Sequence, residues 1–208
     1  MTASCPRIVT GLAFACALAL APQRARAESC TYSVDPSAIG VTWTAFKFTD
    51  KTAVKGRFNA TKVSGPTSAP SLQALAKGLS MDIDGMSVET DNPARNATIS
   101  QFFFGVFQPA GKIQASVADV KGDEAKGTID MKITMNGVTR VVPFAYTATP
   151  AGEVEAKGSF DMMDFQLGNA HESIHRTCEE QHKGTDGVSK TWTDVGVTVK
   201  GRFAANCA

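Results

Sequence analysis

Thr128-Ile-Asp-Met-Lys-Ile-Thr-Met-Asn-Gly-Val-Thr-Arg-Val-Val-Pro-Phe-Ala-Tyr146 consists of two alternating segments on either side of an Asn136-Gly137 step. Ile129, Met131, Ile133 and Met135 fall on one face of the first segment, and Thr128, Asp130, Lys132 and Thr134 on the other. A tight turn whose twist matches the flanking strands needs positive φ at both central residues. Asn-Gly tolerates that best, so the stretch predicts a β-hairpin with a fixed register. One apolar and one polar face suit a sandwich or a barrel, and what the apolar face encloses decides what the protein does.

The same alternation runs outward from the hairpin, broken by glycine, proline and aspartate. Val41 and Trp43 lead a first strand after the Asp35-Pro36 turn, Val54 to Ala60 form a second, and Leu79, Met81 and Ile83 a third. Ile113, Ala115 and Val117 follow, then the hairpin pair, then Val154 to Met162, and last Val195, Val197 and Val199. The side-chain parity breaks at Ala45-Phe46 and between Trp192 and Val195, where bulges are expected. Glycines 56, 158, 196 and 201 within strands let a sheet curl. Two stretches read as helices: one opened by Asp91-Asn-Pro93, and one from Asn169, as cap, to Lys183, with Gly184 beyond. The expected fold is all-β, an eight-stranded antiparallel barrel with one or two short accessory helices.

Residues 1–27 have the features of an export signal: Arg7, an apolar run from Ile8 to Ala21 that is short for a membrane span, and Ala25-Arg26-Ala27 as cleavage site. The mature domain is then 28–208. The signal carries three arginines and no acid, so its removal turns 21 basic against 20 acidic side chains into a slight acidic excess. That balance argues against nucleic acid as a partner, and no second apolar run of bilayer length follows. Cys30, Cys178 and Cys207 remain. In an up-and-down barrel the entry to the first strand lies beside the exit of the last, so Cys30 and Cys207 are expected to close the seam as a disulfide.

Several short motifs, in this order, resemble the YceI-like family of exported polyisoprenoid-binding proteins. They are Tyr32-Ser-Val-Asp-Pro36, Val54-Lys-Gly-Arg-Phe58, Ser87-Val-Glu-Thr90 with Arg95-Asn96, Phe102-Phe103, Asn136-Gly-Val-Thr-Arg140 and Asp164-Phe165. The likeness covers Tyr32 to about Phe203. Ala38-Ile39 stand where the family commonly has His-Ser, Arg95-Asn96 where it has Arg-Asp, and Met162 or Met163 where an arginine precedes the late Asp-Phe. The resemblance implies an elongated lipocalin-like barrel in the periplasm. It would hold a long isoprenoid lipid, a polyprenyl phosphate or an isoprenoid quinone, with no other cofactor required.

Candidates to line such a cavity are Trp43, Phe46, Phe58, Met81 and Ile83 in the first half of the chain. Phe102 and Phe103 follow, then Met131, Ile133 and Met135 of the hairpin. Phe144, Met162, Phe165 and Val197 complete the set. Methionine thioethers adapt to irregular ligands. By alternation alone the same side chains equally suit a solid core; the resemblance favours a hollow one. Arg95 and Arg140 are candidates to meet a phosphate at the mouth.

All three histidines fall in His171-Glu-Ser-Ile-His175-Arg-Thr-Cys178-Glu-Glu-Gln-His182. On a helix, His171, His175, Cys178 and His182 form one stripe, with ligand types suited to zinc or copper. One straight helix cannot supply all four to a single tetrahedral centre, so a second element or a partner chain would complete the shell. A periplasmic metal- or haem-binding protein is therefore the competing reading, and a homodimer linked through Cys178 a further possibility. No serine-histidine-acid signature or phosphate-cradling glycine loop is present, so the chain is not expected to be an enzyme.

Overall fold

The computed structural model describes Met1 and residues 30–208. The expected export signal and its cleavage point at Ala27 lie outside the described residues, Met1 apart. Twelve strand segments follow in chain order: β1 Cys30–Val34, β2 Gly40–Lys47, β3 Thr52–Phe58, β4 Thr61–Ser64, β5 Ser68–Ala69 and β6 Ser80–Asp84, then β7 Val88–Glu89, β8 Lys112–Gly122, β9 Lys126–Met135, β10 Val138–Ala148, β11 Glu153–Asp161 and β12 Asp194–Cys207. Three α-helices are interspersed: α1 Leu72–Lys77, α2 Pro93–Phe102 and α3 Gly168–Thr177.

The segments form a curled antiparallel sheet in the order β4-β6-β8-β9-β10-β11-β12-β2-β3-β7. Twelve segments stand where eight strands were expected, partly because long strands are bent and interrupted. The first is split by a short 3₁₀ turn, Pro36–Ala38, so that β1 pairs with the end of β12 and β2 with its beginning. The second breaks at Asn59-Ala60, with β3 pairing to β2 and β4 to β6. This one bent strand therefore borders both flanks, and the sheet comes back on itself through covalent chain. Ser87 pins the bend: Asn59 N–H donates to its carbonyl at 3.0 Å and Ala60 N–H to its hydroxyl at 2.9 Å.

The hairpin forms as its sequence dictates, with Met135 opposite Val138 and φ of 51° at Asn136 and 72° at Gly137. Met131, Ile133 and Met135 point inward and are buried. The Asn136 side chain also ties neighbouring loops to the turn, accepting from Gln108 N–H at 2.9 Å and donating to the Gln166 carbonyl at 3.0 Å. Of the two expected bulges, the later one corresponds to a real irregularity. Gly196 pairs with Thr44 but Thr191 with Lys47, a slip of two residues. Ala45-Phe46 keeps regular register against β3, and an unforeseen shift occurs at Val117/Asp119.

Cys30 and Cys207 are bonded and face each other as register partners. The helix read at Asn92-Pro93 is α2, capped by Asn92 Oδ1 accepting from Arg95 N–H at 3.0 Å. The second expected helix is shorter than its start and stop signals suggested. It begins at Gly168 without a side-chain cap, so Asn169 lies inside it, and it ends at Thr177 before a separate 3₁₀ turn, Glu180–His182. The third helix, α1, is additional; Ser71 caps it, and Leu72, Leu75 and Ala76 on one face are buried.

Two apolar clusters result. One, around Tyr32, Val34, Ile39, Leu72, Leu75 and Leu79, packs solidly near the disulfide end. The other gathers the inward faces of β9, β10 and β11 with Phe104, Phe107, Phe165 and Leu167.

Candidate functional site

Between these clusters the sheet encloses a hollow of about 600 Å³, within the size range of small-molecule sites. Some rings lie flat against backbone where a side chain is missing. A Cβ on Gly56 would sit 2.3 Å from Trp43 Cζ2, and one on Gly158 would sit 2.7 Å from Phe144 Cδ2. These glycines make room for the wall as much as they curl it.

Of the residues expected to line a cavity, Trp43, Phe46, Phe58, Met81 and Ile83 do so. Phe103, Met131, Ile133 and Met135 line it as well, as do Phe144, Met162 and Val197. Phe46 and Lys47, neighbours that an ideal strand would send to opposite faces, both reach the hollow where the pairing with the segment before β12 slips.

Phe102, Phe165 and Arg140 are placed elsewhere. Phe165 is fully buried against Phe160, edge to face at 5.1 Å, and is packing rather than wall. Arg140 is exposed near the hairpin tip, its guanidinium donating to the Thr139 carbonyl at 2.9 Å. Phe102 ends α2 and lies outside the lining, whereas Phe104 and Phe107 belong to it. The chain leaves α2 at Phe103 and enters a 3₁₀ turn, so of the expected pair only Phe103 reaches the hollow, joined by Phe104 and Phe107. Phe58, Phe103, Phe104 and Phe107 instead form an edge-to-face group, with centroids 5.0 to 5.6 Å apart.

The polar part of the lining is confined to one region. Asn92, Arg95 and Thr98 come from α2 and its cap, Cys178, Gln181 and His182 from the turn after α3, and Lys47 and Thr191 from the irregular strand edge. Arg95 is half-buried and fixed from behind. Its Nε donates to Thr90 Oγ1 at 2.9 Å and one Nη to the Thr90 carbonyl at 2.8 Å. Thr90 is itself buried and held by Asn96 Oδ1, which accepts from its N–H at 2.8 Å and its hydroxyl at 2.6 Å. Asn96 Nδ2 donates in turn to Glu89 at 2.8 Å.

The histidines converge on Thr191. His171 Nε2 donates to its carbonyl at 3.0 Å, while His175 Nδ1 and His182 Nδ1 lie 3.1 and 2.8 Å from its hydroxyl. Burial pulls the His182 pKa down to about 4, helped by the charge of Lys47 and by His175. Burial also raises the Cys178 thiol, with Lys47 opposing. Because α3 stops at Thr177, the four residues do not form a continuous helical stripe. Among the described residues, no three histidine, cysteine, aspartate or glutamate side chains gather to hold a metal ion. The histidines instead fasten α3 and its following turn to the segment before β12.

Comparison with known proteins adds to this geometry. The YceI-like domain matches residues 32–203. A polyisoprenoid binding domain from Saccharophagus degradans, implicated in plant cell wall breakdown, aligns with a TM-score of 0.56 at 18% identity, covering 84% of this chain and 98% of its own. Burkholderia cenocepacia BcnA aligns at 0.54 and 16% identity, covering 82% and 99%. A Campylobacter jejuni YceI protein aligns at 0.52 and 18% identity, covering 76% and 86%. At these identities the structural likeness carries the fold. A search of curated proteins finds no match.

Proposed function

The chain belongs to the YceI-like family, and from that premise we propose that it binds and carries a long isoprenoid lipid, a polyprenyl phosphate or an isoprenoid quinone, without altering it chemically. The observation that carries this reading is the hollow itself: about 600 Å³, walled by methionine, phenylalanine and branched aliphatic side chains, with polar groups in one region. Each methylene transferred from water into such a tube contributes about 0.8 kcal/mol, so a long tail is held without many directed contacts. The Saccharophagus degradans relative, described as a polyisoprenoid binding domain, supports the same ligand class.

The protein is proposed to act in the periplasm, exported and cleaved after Ala27. The signal-like composition of residues 1–27 supports this, as does the Cys30–Cys207 disulfide, a bond that persists in oxidising compartments.

Native mass spectrometry of protein from a periplasmic fraction, before and after solvent extraction, tests both parts. The expected result is a chain beginning at Glu28 whose mass carries an isoprenoid lipid that extraction removes. A lipid-free mass that also fails to take up added polyprenyl phosphate or quinone refutes the binding reading, and recovery only from the cytoplasm refutes the location.

A further inference from the structure

The charged side chains that line the hollow are two, Lys47 and Arg95, and both are cations; among the described residues no carboxylate lines it. Neither cation takes part in an ion pair among those residues, although nine such pairs occur elsewhere on the protein. Asp91, the carboxylate whose acidity responds to Arg95, is already bound by Arg57 at 2.9 Å. The Lys47 ammonium lies over the Phe48 ring, 4.4 Å from its centroid, and its charge reaches both Cys178 and His182. It therefore stands among the polar residues of the lining.

Arg95 is held in a way that leaves a binding face free. Thr90 occupies Nε and one Nη, the other Nη has no partner among the described residues, and the Asn96–Thr90 bonds lock that arrangement. Asn96 matters here because an amide supports Thr90 without neutralising the guanidinium, as a carboxylate at the same position would. A cation beside an apolar cavity loses hydration once a lipid tail displaces water, and an acidic group restores more of that energy than any neutral acceptor. A quinone carbonyl can accept a hydrogen bond from either cation but brings no charge to offset it.

We propose that this cavity selects lipids by an acidic head group, phosphate or carboxylate, which Lys47 and Arg95 bind where the polar lining residues gather. The proposal rests on the lipid reading above and narrows it from two head groups to the charged one.

Geranylgeranyl phosphate, geranylgeranoic acid and geranylgeraniol share one tail and differ only in the head, so their affinities for the mature protein separate the two questions. The acidic lipids are expected to bind at least tenfold more tightly than the alcohol, and the ratio of phosphate to carboxylate shows which acid is preferred. In the Lys47→Met, Arg95→Gln double variant this advantage is expected to vanish, the acids falling to the level of an alcohol that binds as well as before or better, while an unchanged urea midpoint reports that the fold is intact. Equal affinity for all three heads in the unaltered protein overturns the head-group inference and leaves lipid binding standing. An equal loss for all three in the variant overturns it as well, since the two residues would then be packing. If none of the three binds, the lipid reading itself fails.

Discussion

His182 makes a quantitative test of how α3 and the turn after it are fastened to the segment before β12. Its folded pKa is about 4 against an ordinary 6.5, chiefly because burial disfavours the charged ring. Between those values the unfolded chain binds more protons than the folded one, so stability rises with pH across that window and falls on acidification. The full shift would correspond to roughly 3 kcal/mol. The ring is partly open to water, and screening reduces the expected effect to about 1–2 kcal/mol. Carboxylates with lowered pKa, such as Asp119 and Glu155, lose their contribution only as pH falls below about 4.5, so pH 4.5 to 6.5 isolates the histidine. Urea denaturation at intervals through that range, for the unaltered protein and His182→Asn, provides the assay. Asparagine can place a polar atom near Nδ1 and keep the bond to Thr191, but it does not titrate. The unaltered protein should lose about 1–2 kcal/mol between pH 6.5 and 4.5 beyond what the variant loses. Parallel curves for the two proteins would refute the buried, neutral His182.

Three further outcomes are expected. Replacing Cys30 and Cys207 together by serine should cost about 5 kcal/mol by urea denaturation, because the bond closes a loop across 177 residues. Ile133→Trp should place an indole in the hollow, cutting lipid occupancy in native mass spectrometry while changing stability by less than about 1 kcal/mol, where a solid core would lose 1–3 kcal/mol. Gly56→Ala should displace Trp43, whose ring lies 2.3 Å from the added carbon, destabilising the protein by roughly 1–3 kcal/mol and shifting its tryptophan fluorescence.

Much of the wall was legible in the sequence because strand alternation is local. Ile129 to Met135, Met81 with Ile83, and Val195 to Val199 declare their inward face by spacing alone, and the Asn136-Gly137 step fixes the register between two of the strands. The cysteine pair was legible for a topological reason, since the first and last strands of the chain pair antiparallel, entry beside exit. What escaped was set by tertiary packing. The parity break between Trp192 and Val195 announced the slip of two residues beside β2, but not that it coincides with Lys47 reaching the hollow alongside Phe46. The histidine stripe was a correct observation about spacing, but Thr191, far along the chain, gives those rings their partner. Ser87 and Thr90 were visible only as part of a family motif. In the structure one pins the bend at Asn59-Ala60 and the other orients Arg95.

That bend bears on how such a container is sized. Paired strands can slide past one another by two residues at little covalent cost, and over time a tube built wholly from ladders can drift to a new girth. Here the chain at Asn59-Ala60 passes from one flank to the other as a single thread, so the circumference is tethered at that point by bond lengths. The side chains that project inward can then change while the hoop that holds them keeps its diameter.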